Sequence, residues 1–162
     1  GTDFGATAAA FTGDNSADFT VEFEPSATAL EKQGAGYVVA SLGVDSGYVP
    51  YTSYSAKTSY MEKNPDIMQK FTNALQKGMD YVQKHTPEEI ARVIEPQFPE
   101  TDLDTITAIV KRYYDQDTWK KNLVFGQEGF ELLQDILEDA GELKERTPYE
   151  ELVNTEFAQN AS

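Results

Sequence analysis

The sequence has no cysteine, one histidine and one tryptophan in 162 residues. Without cysteine there is no disulfide, no thiol nucleophile and no thiolate metal site, and the redox compartment stays undecided. Basic residues are scarce. Thirteen Lys and Arg stand against twenty-eight Asp and Glu, a net charge of -15. Such a surface repels nucleic acid and anionic lipid, which removes both as partners. No apolar run nears the ~20 residues that span a bilayer. No stretch reads as a signal peptide. The chain opens on Gly1 and not Met, which reads as a processed product or a piece of a longer chain.

What is present argues for a folded core. The chain is 40% hydrophobic, with nine Phe and nine Tyr, so its acidity does not signal disorder. It reads instead as a solubility feature of a secreted or surface protein. Residues 1 to 58 are poor in Lys and Arg and rich in Gly, Thr, Ser and Ala. Residues 59 to 162 are charged and helix-like, which puts a change of architecture near Ser59.

In the first part, Thr7 to Thr12 reads as a short helix ended by Gly13-Asp14. Phe19, Val21 and Phe23 alternate with Thr20, Glu22 and Glu24, a period of two that predicts a strand. Pro25 ends it and opens a helix over Ser26 to Gln33. Tyr37 to Leu42 is a continuous apolar run, the pattern of a buried strand. Val44 to Pro50 reads as loop, and Tyr51 to Lys57 as β-prone. Strand, helix and strand within about thirty residues make one βαβ unit.

The second part follows a helical period. Asn64-Pro65 starts a long amphipathic helix carrying Ile67, Met68, Phe71, Leu75, Met79 and Val82, to about Lys84. Thr86-Pro87-Glu88-Glu89 is a capping-box pattern, with a helix to about Ile94. Asp102 caps a helix carrying Leu103, Ile106, Ile109, Val110, Tyr113 and Tyr114. Phe130, Leu133, Ile136 and Leu137 mark the next, closed by Gly141. Tyr149, Leu152, Val153 and Phe157 mark a short last one.

Glu24 sits at the carboxyl end of the first expected strand, where open α/β sheets bind ligands. It reads either as a ligand-facing carboxylate or as a solvated strand-end acid. Thr7 opens a helix whose free amides suit an anion, with simple capping by Thr7 or Asp3 as the alternative. His85 follows a helix end, where its charge complements the dipole, and alone makes a poor metal site. Trp119 reads as a packing residue. The acids at Glu138-Asp139 and Glu150-Glu151 read as solvated helix faces and lack calcium-loop order. No nucleophile motif or phosphate loop is present. No metal and no cofactor is expected.

An ordered set of residues resembles the second half of the extracytoplasmic substrate-binding proteins of ABC importers. The nearest group is that for nitrate, sulfonates, taurine and thiamine-precursor pyrimidines. The set is Ala8-Ala9-Ala10-Phe11-Thr12-Gly13, Asp18-Phe19, Glu24-Pro25, Tyr37-Val38-Val39 and Asn64-Pro65-Asp66. It continues with Asp102, Arg112-Tyr113, Trp119, Glu128-Gly129-Phe130, Gly141 and Tyr149-x-x-Leu152-Val153-Asn154. Members of that family are roughly twice as long and have two α/β lobes.

The resemblance implies an α/β chain, part of a type II periplasmic-binding-protein fold, with a few short strands followed by four or more helices. Residues 1–42 would end the second lobe. Residues 43–58 would be hinge and crossing strand, and 59–162 the helical part of the first lobe. Tyr48, Tyr51 and Tyr54 then fall in the hinge, where aromatics stack on a flat ligand or simply pack. The implied function is capture of a small polar solute, a thiamine-precursor pyrimidine first, a sulfonate or related compound next. Nitrate is disfavoured because Glu24 would repel an anion. The implied partner is the importer's membrane permease, and the implied location is extracytoplasmic, lipid-anchored or periplasmic. No chemistry is expected. A partial receptor would also expose apolar surface and self-associate, through the Tyr51–Lys57 edge. The alternatives are a helical protein-interaction module without ligand and an enzyme like the fungal pyrimidine synthases, which carry a cysteine-rich segment missing here.

Overall fold

Helices form where the sequence has a 3.6-residue period. The computed structural model describes Asp3, residues 5–13 and residues 16–162. Ten α-helices run through them: α1 Thr7–Gly13, α2 Ser26–Lys32, α3 Leu42–Asp45, α4 Thr58–Lys63 and α5 Pro65–Lys84, then α6 Pro87–Ile94, α7 Leu103–Asp115, α8 Gln127–Asp139, α9 Tyr149–Leu152 and α10 Glu156–Gln159. A 3-10 turn, Glu95–Gln97, follows α6. The Asp14 that was expected to help end α1, and Phe4 ahead of it, lie outside the described residues.

The expected α/β architecture is corrected. Among the described residues there is no strand, at 19–24, 37–42, 51–57 or elsewhere. The partial periplasmic-binding-protein fold goes with it. A period of two encodes which side chains share a face, but a strand exists only where a neighbour completes the ladder. Here the alternating residues stay in solvent. Phe19 is 80% exposed, Tyr37 86% and Val39 77%. The loop expected from Val44 holds one helical turn, α3, that begins at Leu42.

The chain folds as two compact units, Gly1–Ser41 with Pro87–Asp115 and Leu42–Thr86 with Gln116–Ser162. In the first, α7 packs on both α6 and α2. Leu30 of α2, Ile90 and Ala91 of α6, and Ile106 and Val110 of α7 form its core. Each buried Leu, Ile or Val contributes about 1.5–3 kcal/mol relative to exposure. Helix α2 stops at Gly34, whose positive φ of 68° suits a residue without Cβ. Asp102 caps α7 as expected, accepting the Thr105 N–H at 2.9 Å.

In the second unit, α5 packs against α4 and α10, and α8 against α9. Phe130 of α8 is buried, edge-on to Phe125 and to Tyr149. The Tyr149 hydroxyl donates to the Phe125 carbonyl. Gln76 is buried in α5 and donates to Asp80 at 2.9 Å and to the Lys121 carbonyl at 3.2 Å. Gly129 is needed by close approach: a Cβ there would lie 2.8 Å from the Tyr48 carbonyl oxygen.

Candidate functional site

The most built polar cluster of the first unit is centred on Arg112, in the last turn of α7. Its Nη1 donates to Glu24 Oε1 at 2.6 Å, and its Nη2 donates to Glu31 Oε2. The Glu24 side chain is 5% exposed and that of Arg112 24%. A planar guanidinium with a fixed fork of donors can grip two carboxylates at once, which a lysine ammonium cannot do in the same geometry.

Both acids also bind backbone. Glu24 Oε2 accepts the N–H of Thr28 at 3.0 Å. Thr28 lies in the first turn of α2, whose amides have no intrahelical partner. The N-cap position itself is Pro25, which makes no side-chain cap bond, so the preceding glutamate supplies the acceptor. Glu31 Oε1 accepts the N–H of Val38 at 3.0 Å. That amide, then the Arg112 guanidinium, hold the Glu31 carboxyl below its ordinary value. Arg112 therefore ties the turn before α2 and the chain at Val38 to one point on α7.

A second group flanks it. The Lys32 ammonium donates to the Thr105 hydroxyl and lies 3.6 Å from Asp102 Oδ1. The Thr105 hydroxyl donates to Asp102 Oδ2 at 2.5 Å. That bond first, then the Thr105 amide, hold the Asp102 carboxyl below its usual range.

The other candidate residues divide between the units. Thr7 is the half-buried first residue of α1. Tyr48, Tyr51 and Tyr54 belong to the second unit and are 71, 75 and 76% exposed. The Tyr48 hydroxyl donates to Asp117 Oδ2 at 2.7 Å. That bond pushes the phenol's pKa up. Tyr54 meets the Phe71 ring edge-on at 5.2 Å between centroids. His85 stacks on Tyr81 with centroids 3.6 Å apart, and its Nδ1 lies 2.7 Å from the Tyr81 carbonyl. No group of three or more metal-ligating side chains occurs among the described residues, and no helix among them is long and apolar enough to cross a membrane.

The second unit also has a hollow of about 290 Å³ lined by Gln127, Phe130, Gln134, Arg146 and Tyr149 among others. Arg146 and Gln134 in its lining are engaged. Arg146 donates to Asp135 at 2.5 Å and Glu138 at 3.2 Å. Buried Gln134 accepts the Thr147 N–H at 2.8 Å.

Sequence reasoning set Glu24 facing outward and did not pair it with Arg112. The one local hint was register. Arg112 falls seven residues after Thr105, on the α7 face that Thr105 buries.

No protein-family model matches the chain. No solved structure matches it either. The chain is 39% identical over 160 residues to a Bacillus subtilis (strain 168) protein described as "Putative binding protein YtlA". The match takes in 99% of this chain and 48% of the relative. The chain thus spans about half the length of the curated relative it matches.

Proposed function

We propose that this chain is part of a solute receptor for an ABC importer, working outside the cytoplasm and handing its ligand to a membrane permease. The observation that carries this is the 39% identity, sustained over 99% of the chain, to a protein described as a binding protein. The ligand class is a small polar solute with a flat or amine-bearing group, a pyrimidine precursor of thiamine before a sulfonate. Two features support that choice. Tyr48, Tyr51 and Tyr54 offer three exposed aromatic rings within seven residues, and aromatic faces hold flat ligands. The net charge of -15 favours a cationic or neutral solute over an anion. The role is capture and release without chemistry. Glu24 serves it indirectly, by holding the turn before α2 through Arg112.

The test is calorimetric titration of the B. subtilis relative, and of this chain joined to the half of that relative which it does not match. The panel is an aminopyrimidine, taurine and nitrate. Binding of the aminopyrimidine or taurine by both proteins, weakened when Tyr51 is changed to Ala, is the expected result. Absence of binding to the whole panel by both proteins would overturn the reading.

A further inference from the structure

In the second unit, α8 carries Gln127, Phe130, Glu131 and Gln134 at the i, i+3, i+4 and i+7 positions of one helix face. Together with residues 146–150, that face bounds the hollow of about 290 Å³. The wall opposite α8 is pinned at Thr147 and at Tyr149. The Gln134 side-chain amide accepts the Thr147 N–H at 2.8 Å and donates to the Thr147 carbonyl at 3.2 Å. The Tyr149 hydroxyl is committed to the Phe125 carbonyl. Its ring and the buried ring of Phe130 then form the aromatic part of the lining. A hollow held in this way is shaped before a ligand enters, which lowers the ordering cost of binding.

The charge of the lining is not balanced. Arg146 is its one cation among the described residues. The guanidinium is committed to Asp135 and Glu138, both outside the lining. Two carboxylates of the lining remain. Gln127 donates to Glu131 Oε1 at 2.8 Å, which leaves Oε2 open. Glu150 has no hydrogen-bond or ion-pair partner among the described residues.

We propose that this hollow is a binding site for a small primary amine, with the ammonium held by Glu131 and Glu150 and an apolar or aromatic body set against Phe130 and Tyr149. An ammonium brings three donors and no acceptor, which suits open carboxylate oxygens. Aromatic faces attract a cation as well as an apolar body. A neutral solute gains nothing from the two acids, and an anion is repelled by them. The volume of about 290 Å³ falls at the bottom of the ~300–1,000 Å³ range of ligand pockets, so the site takes a compact amine and not a peptide. The inference goes beyond the importer reading and does not rest on it. The hollow shares no residue with Tyr48, Tyr51 and Tyr54, so a ligand held here occupies a second site.

The experiment is an amide-resolved NMR titration of the 162-residue chain at pH 7 with benzylamine, and with benzyl alcohol as a neutral probe of the same shape. Benzylamine is expected to shift the amides of residues 127–134 and 146–150 saturably, and benzyl alcohol to bind more weakly there. Glu150→Gln weakens benzylamine by about two- to fivefold, the range of one exposed charge pair, and Glu131→Gln with Glu150→Gln by about tenfold. Both acids are exposed, so the variants keep the fold, and unchanged amide positions in the first unit check that they do. Equal binding of the two probes would overturn the proposal, as would an affinity that the double variant leaves unchanged. Shifts confined to residues 48–54, or no saturable shift at all, would also overturn it.

Discussion

Glu24 and Arg112 are 88 residues apart in sequence and 2.6 Å apart in space. The pair joins the turn before α2 to the last turn of α7. Removing one partner leaves the other charge shielded from water without compensation, a loss of about 3–5 kcal/mol for a fully buried pair. Arg112 keeps some solvent contact, so Arg112→Met is expected to cost about 2–4 kcal/mol. Arg112→Lys retains the charge and loses the double grip, and falls between the two proteins. Urea unfolding of the three proteins checks the order.

The acids around this point set a pH dependence. Glu31 sits below its ordinary 4.5 and Asp102 below its ordinary 3.8. A carboxyl lowered in the folded state stabilises above its unfolded pKa and loses that contribution as pH falls through the folded one. The chain is therefore expected to hold its urea midpoint from pH 7 to about 5 and to lose it progressively below about 4. Glu31→Gln flattens that fall. The same acid limb in both proteins would show that Glu31 contributes nothing.

Much of the helical layout was legible. Asn64-Pro65 and the stripe from Ile67 to Val82 gave α5, which runs Pro65–Lys84. Asp102 caps α7 through the Thr105 amide. These signals are local: a cap, a proline, a period. The strands expected at Phe19–Glu24 and Tyr37–Leu42 failed because pairing is not local, and the described residues supply no ladder. The Arg112 cluster was hidden for the same reason. Nothing near Glu24 in sequence announces an arginine on α7, and Glu24-Pro25 taken alone suggested an acid facing outward.

The contact at Gly129 predicts a contrast between two glycines. A Cβ at Gly129 meets the Tyr48 carbonyl oxygen at 2.8 Å, and backbone must move to admit it. Gly129→Ala should cost about 1–3 kcal/mol. Gly78 lies inside α5 with nothing within 4 Å of its would-be Cβ. Gly78→Ala should stabilise by about 0.5–1 kcal/mol. Thermal midpoints of the two variants should move in opposite directions.

Tyr48 has a spectroscopic handle. Its hydroxyl donates to a carboxylate, which disfavours the phenolate and raises its pKa above the ordinary 10.0. Ultraviolet titration should show a late-titrating tyrosine that disappears in Tyr48→Phe and moves back in Asp117→Asn. A titration curve unchanged by Asp117→Asn would break the assignment.

The pairing of Glu24 with Arg112 is tested most directly by a double-mutant cycle. Glu24→Gln, Arg112→Met and the double variant are compared with the unmodified chain by urea unfolding at pH 7. The structure predicts a coupling of about 1.5–3 kcal/mol, the range of a hydrogen bond between charged groups shielded from water. Losses that add to within about 0.5 kcal/mol would contradict the account, because Glu24 would then be an independent acid and Arg112 would not hold the turn before α2.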